Sequence, residues 1–118
     1  MSTLPNDPPG SIPVDIASQW TANWREFIAS SNQAFNILAF TIPIECIKNM
    51  LLYNENAEGI RAYIALENAD EVSSAKLVMV PVIGNEDIIN QPADNSKSNV
   101  YDNTDACPPV CALNSPLN

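Results

Sequence analysis

"GIRAYIALEN" at 59–68 and "KLVMVPVIG" at 76–84 decide the fold class. The first run alternates. Ile60, Ala62, Ile64 and Leu66 fall on one side, and Arg61, Tyr63, Ala65 and Glu67 on the other. That period of two marks a half-buried strand. The second run is apolar on both faces, as expected of a strand interior to a sheet. Pro81 has no ladder donor, so a bulge or the outer half of the strand is expected there. The polar stretch "ADEVSSA" at 69–75 joins the two runs, and a loop this short argues for an antiparallel hairpin.

Two helices are expected upstream. In "SIPVDIASQWTANWREFIAS" at 11–30, Ile16, Trp20, Trp24, Phe27 and Ile28 recur at helical spacing and form one apolar stripe. Ser11 is the expected N-cap, with Pro13 and Asp15 in the first turn. Both tryptophans read as core. "SSNQ" at 30–33 ends the helix, and "AFNILAFTI" at 34–42 reads as a short strand. It leads into "TIPIECIKNMLLYNENAEG" at 41–59, a second helix capped by Thr41 with Ile44, Ile47, Met50 and Leu51 toward the core. Gly59 suits a turn after it. The helix starts "SIPVDI" at 11–16 and "TIPIEC" at 41–46 match by class, which points to one capping chemistry used twice.

Downstream, "EDII" at 86–89 adds a short strand, and "NQPADNSKSN" at 90–99 reads as loop before a last short strand at "NVYD". The expected fold is α+β: a small, mostly antiparallel sheet of three to four strands, two helices on one face, and extended N- and C-terminal arms. The boundaries read as an arm over 1–12, a single domain over 13–90 and a C-terminal arm over 91–118.

Charge narrows the function classes. The net charge is −9, and Arg25, Lys48, Arg61, Lys76 and Lys97 are dispersed. No basic patch exists to neutralise phosphates, so neither nucleic acid nor an anionic membrane surface is an expected partner. "MSTLPNDPPGSIP" has no charged n-region and no apolar h-region, and the longest apolar run, "LVMVPVI" at 77–83, is strand-sized. A cytoplasmic location without membrane insertion is the expectation.

Catalytic chemistry finds little support. There is no histidine, which removes the commonest general base and metal ligand. With glycine only at 10, 59 and 84, no phosphate-cradling loop is written in the chain. Asp70 with Glu71, Glu86 with Asp87, and Asp102 with Asp105 are local acidic pairs without a calcium-loop spacing, and they read as solvated. No enzyme activity and no cofactor are expected.

The sharper signal is "CPPVC" at 107–111. Cys107 and Cys111 admit a metal clip, a redox pair, a disulfide staple or a proline-stiffened tail. Zinc wants four Cys or His ligands, and three thiols with no histidine fall short. A disulfide would be labile in a reducing cytosol. Cys46, on the second helix, reads as a small hydrophobe. Arg61 and Tyr63 share the non-core side of one strand and are the candidate recognition residues.

The order of features resembles a group of small proteins of Bacteroidetes bacteria that have no established activity. The resemblance rests on "AFTIPIECIKNML", "GIRAYIAL", "KLVMVPV" with "NEDII", and "CPPVC", within residues 13–111. It implies a bacterial source and an α+β domain. It also implies that Gly59, Arg61, Tyr63 and the CPPVC element form a recurring unit, and it assigns no function. The expected function is a non-enzymatic protein-binding or self-assembly module whose partner is other copies of itself. The alternative is a redox- or metal-responsive protein acting through Cys107 and Cys111.

Overall fold

A computed structural model describes residues 8–32, 35–102 and 104–118. The described elements are α1 (Val14–Ser30), β1 (Ala39–Thr41), α2 (Ile44–Tyr53), β2 (Gly59–Leu66), β3 (Ala75–Ile83), β4 (Glu86–Asp87), β5 (Asn90–Gln91), β6 (Asp94–Ser98) and β7 (Asp105–Cys107). A 3-10 turn at Val72–Ser74 leads into β3. The class is α+β, with antiparallel pairing throughout the named strands. The expected arm over 1–12 lies, for residues 1–7, outside the described residues.

The strands form three small sheets: β2-β3-β4, β1-β7 and β5-β6. The central hairpin is the expected one. Its register runs from Gly59↔Val82 to Leu66↔Ala75 without a shift. Pro81 therefore needs no bulge, and ladder parity explains why. Glu67 N–H donates to Ser74 O across the hairpin end. Counting back in steps of two, the residues bonded toward β2 are Lys76, Val78, Val80 and Val82. Pro81 turns its missing donor to the other side, where its carbonyl accepts from Ile88 N–H at 2.9 Å. One bond is forgone, at the end of the strand. Gly84, at φ +62, supplies the left-handed residue of the tight turn between Ile83 and Glu86.

The helix starts sit later than the sequence suggests. Neither Ser11 nor Thr41 caps a helix; Pro13 and Pro43 occupy the N-cap positions without a side-chain cap bond. A residue before proline avoids the helical region, so Ile12 and Ile42 stay extended and helix begins after each proline. Both prolines adopt nearly the same geometry, φ −60 with ψ 145 and φ −60 with ψ 138. The similar hexapeptides thus do use one local solution twice. Thr41 belongs instead to β1. Gly59 opens β2 rather than making a turn, and a Cβ there would stand 3.3 Å from the Val82 side chain.

Two apolar clusters hold the chain together. In the larger, Cys46 and Met50 of α2 close over Met79 of β3, with Ile42, Ile47, Leu77 and Tyr101 around them. The second joins Ile37, Ala75 and Ala106, with Phe35, Phe40 and Val72 packed against it. This corrects the expected core face of α2. Met50 is buried and Ile47 packs on the cluster as expected, but Ile44 and Leu51 are exposed, and Cys46, at i, i+4 from Met50, completes the inward face. It also corrects α1, which buries no residue; Trp20 is 60% exposed and Phe27 57%. Periodicity located an apolar stripe that is covered only in part, with Ile16 and Ile28 half-buried and Trp20 and Phe27 open.

Residues 90–98 and 105–107, read as loop, pair as strands, and the expected short strand at 99–102 is reduced to one bridge. β5 and β6 form a hairpin, Tyr101 bridges Met79, and β7 pairs with β1. A buried amide pair locks this segment to α2. Asn54 Nδ2 donates to Asn99 Oδ1 at 2.9 Å, and Asn99 Nδ2 donates to Asn54 Oδ1 at 2.7 Å. Asn54 also donates to Met50 O, Asn99 to Ile88 O, and Tyr101 O–H to Asn99 Oδ1. Among the described residues no buried side-chain nitrogen or oxygen lacks a partner.

Met79 is 1% exposed and sits where α2, β3 and Tyr101 meet. Met79→Ala is expected to cost about 2–5 kcal/mol. Urea unfolding followed by tryptophan fluorescence and far-UV circular dichroism measures it. Val78→Ala, on the opposite face of β3 and only half-buried, is expected to cost clearly less.

Candidate interaction surface

The candidate recognition residues meet a third partner that the sequence did not single out. Arg61 Nη1 and Tyr63 O–H both donate to the Asp87 carboxylate, one to each oxygen. Arg61 also donates to Asn85 O at 3.2 Å. The strands explain the meeting. Arg61 and Tyr63 are two apart on β2 and so share a face, while β4 folds back beside β3 through the Gly84 turn. Asp87 is opposite Val82 and reaches across β3 to them. Its only visible signal in the sequence was its place in the pair Glu86–Asp87.

The arrangement sets the local charge. The Tyr63 hydroxyl, and then the Arg61 guanidinium, hold the Asp87 carboxyl below the ordinary carboxylate range against a partial cost of desolvation. The hydrogen bond to Asp87 correspondingly raises both Tyr63 and Arg61. Asp87 is thus ionised and Arg61 neutralised by it. At the other end of the strand, Lys76 pairs with Glu67 at 3.0 Å. The titratable groups of the cluster are thus one carboxylate, one phenol and one guanidinium.

β2 is also the free edge of its sheet, since the strand order is β2-β3-β4. By ladder parity Gly59, Arg61, Tyr63 and Ala65 bond to β3, so Ile60, Ala62, Ile64 and Leu66 point their backbone groups outward. These four make no other backbone hydrogen bond among the described residues. Their side chains lie on the Met79 face, opposite Pro81, Met79, Leu77 and Ala75 respectively. α2 covers the β3 half of that face. The β2 half stays open, with Ile64 67% exposed and Ile60 and Leu66 also exposed. The expected half-buried strand therefore presents its apolar side to solvent.

Extra exposed surface is a property of the whole molecule. The chain exposes 8472 Å², where a folded monomer of this mass exposes about 6300 Å². Treating the ten residues outside the described set as wholly exposed still leaves an excess of about 1000 Å². Trp20, Phe27, Ile44, Leu52 and Ile64 are among its sources. A surface groove of about 490 Å³ lies between the end of α2 and β3, lined by Leu52, Tyr53, Pro81, Ile83 and Ile88 among others.

The CPPVC element lies elsewhere. Cys107 and Cys111 are joined in a disulfide, with Cα atoms 4.9 Å apart, and Val110 N–H donates to Ala106 O at 3.0 Å. The chain then turns back on its own α1: Ser18 Oγ donates to Pro116 O at 2.8 Å and Arg25 to Leu117 O at 2.9 Å. Cys46 sits in the other apolar cluster, and burial pushes its thiol up. Among the described residues no group of three or more Cys, Asp or Glu side chains is placed to hold a metal. No helix among them is long and apolar enough to cross a membrane. Comparison with protein-family models, curated proteins and solved structures finds no match.

Asp87 gives a pH prediction. Its folded pKa lies below the unfolded value, so its contribution is present above the ordinary Asp range of about 3.9 and is lost as pH falls through the folded value. Asp87→Asn is expected to be less stable than wild type at pH 7. Thermal unfolding should show that difference shrinking steadily from pH 5 to pH 2. A constant difference across that range would contradict the assignment.

Proposed function

We propose that this protein is a non-enzymatic self-association module whose partner is another copy of the same chain. One observation carries the reading: the apolar side of β2 and the apolar stripe of α1 are exposed together in a folded chain. Exposed apolar patches rimmed by polar residues mark interaction sites. The excess exposed area is similar to the roughly 800 Å² per partner of a standard interface. The charge distribution fits as well, since the basic residues make no patch for nucleic acid.

The module is read as cytoplasmic, where the Cys107–Cys111 bond is open to reduction by the thiol pool. That bond is also the one observation favouring the alternative, a thiol-responsive protein acting through Cys107 and Cys111. The bond's neighbours favour a fastening role instead, because the residues beyond it dock on α1 of the same chain.

Size-exclusion chromatography with light scattering tests the reading, run with and without reductant. The expected result is a dimer or larger species at micromolar concentration in both. Each copy carries −9, so added salt is expected to strengthen association by screening like charge. A monomer at every concentration and salt would overturn it. Association that appears or vanishes with reductant would favour the thiol-responsive alternative.

A further inference from the structure

Resting on the self-association reading, we infer that the contact is made by β2 pairing antiparallel with β2 of a second copy, about a two-fold axis through Tyr63. The free edge selects the strand. β2 is eight residues long, and no strand among the described residues pairs with its outer side. Exposed edges are ordinarily blunted by lysine, proline, bulges or shortness. β2 has no proline and no lysine, and its register with β3 is unshifted. The opposite edge of the sheet is only the two residues of β4, and the middle of β3 on that side is taken by Tyr101.

The backbone selects the register. Only Ile60, Ala62, Ile64 and Leu66 offer outward donors and acceptors, so paired positions must come from this set. Antiparallel pairing that joins Ile60 to the partner's Leu66 and Ala62 to the partner's Ile64 uses all four on both strands. Shifting by two residues in either direction leaves one of them without a strand partner. The chosen register is its own mirror under a two-fold axis, as an isologous dimer requires. The axis then falls between the two Tyr63 residues.

Side chains agree with it. On the Met79 face, Ile60 meets Leu66 and Ile64 meets Ala62, so the open apolar strip becomes continuous across the axis. On the other face Tyr63 stands beside its copy, and Arg61 stands opposite Ala65 rather than opposite another arginine. Aromatic and aliphatic cross-strand pairs are the stabilising kind. The charges on this edge are already satisfied within one chain, by Asp87 for Arg61 and Lys76 for Glu67. A molecule of net charge −9 thus presents a neutral strand to its own copy. The product is a six-stranded sheet with β2 and its copy at the centre.

Cysteine cross-linking tests the register. At the axis Tyr63 forms a non-hydrogen-bonded pair with its copy, whose Cα atoms lie about 4.5 Å apart, within disulfide reach. Ile64 lies two residues off register from its copy, at more than about 7 Å and out of reach. Tyr63→Cys and Ile64→Cys are made in a Cys46→Ala background and oxidised mildly. The expected result is a covalent dimer on non-reducing gels for Tyr63→Cys and little for Ile64→Cys. Ala62→Pro removes an outward donor while leaving the β3 ladder intact, and is expected to raise the dimer Kd about tenfold or more. Its circular dichroism and unfolding midpoint, measured at a dilution where wild type is monomeric, should stay near wild type.

A dimer by light scattering with no Tyr63→Cys cross-link, or with an Ala62→Pro Kd equal to wild type, overturns the strand pairing while self-association stands. A cross-link at Ile64→Cys instead of Tyr63→Cys overturns the register. A wild-type monomer overturns both readings together.

Discussion

Met79 is the point from which the rest of the structure is built. Its N–H and C=O both bond to Tyr101, at 2.7 and 2.9 Å, while its side chain fills the Cys46–Met50 face of α2. One residue thereby binds the sheet to the helix and draws the C-terminal segment alongside. Asn99 lies two residues before Tyr101 and pairs with Asn54 just past the end of α2. The apolar contact and the amide pair hold the same two segments together from different sides. Saturated buried amides specify an arrangement more than they stabilise it, because any other packing would leave one of them unpaired.

That arrangement covers the sheet unevenly. α2 is centred on β3, and the Tyr101 segment lies on the side of β3 away from β2. Everything added after the hairpin therefore shields β3 and leaves β2 bare on its outer edge and on one face. α1 is fastened at few points: Trp24 donates to Ile37 O at 3.0 Å, and Ser18 and Arg25 bond the tail. Polar tethers of this kind position a helix without burying its apolar stripe.

The legible parts of the sequence were those set by local rules. Alternation in Gly59–Leu66, the apolar run around Met79 and the two proline-led helix starts all describe a few neighbouring residues. The hidden parts depend on distant partners. "DNSKS" carries no apolar alternation, yet it forms β6 because the Asn99 anchor and the Gln91–Asp94 turn hold it beside β5. Asp87 looked like a solvated acid because its partners lie 24 and 26 positions away. Arg61 and Tyr63 were visible as a same-face pair, and the carboxylate that binds both was not. The inward face of α2 was read only in part, correctly at Ile47 and Met50 and not at Ile44 and Leu51, for a related reason. Ile44 and Leu51 are more apolar than Cys46, but the face beside Met79 is the one that Cys46, Ile47 and Met50 share.

Neutralising Arg61 matters more for what it permits than for the stability of one chain. An exposed ion pair contributes little to folding, since solvent screens it. Removing the only charge from within β2 is a different effect. An unpaired arginine in the strand would carry a hydration shell into any edge contact and would guard the edge as lysine commonly does. Arg61, through Nη1, and Tyr63, through its hydroxyl, are both turned onto Asp87. What β2 then offers outward is its backbone row and the side chains of Ile60, Ala62, Ile64 and Leu66. A partner that matches must bring an equally neutral strand with complementary spacing. The acidic surface elsewhere repels close approach of a second copy in other orientations. Under the proposed self-pairing, like-charge repulsion over most of the molecule and a neutral, unguarded edge on one strand together favour one contact over many.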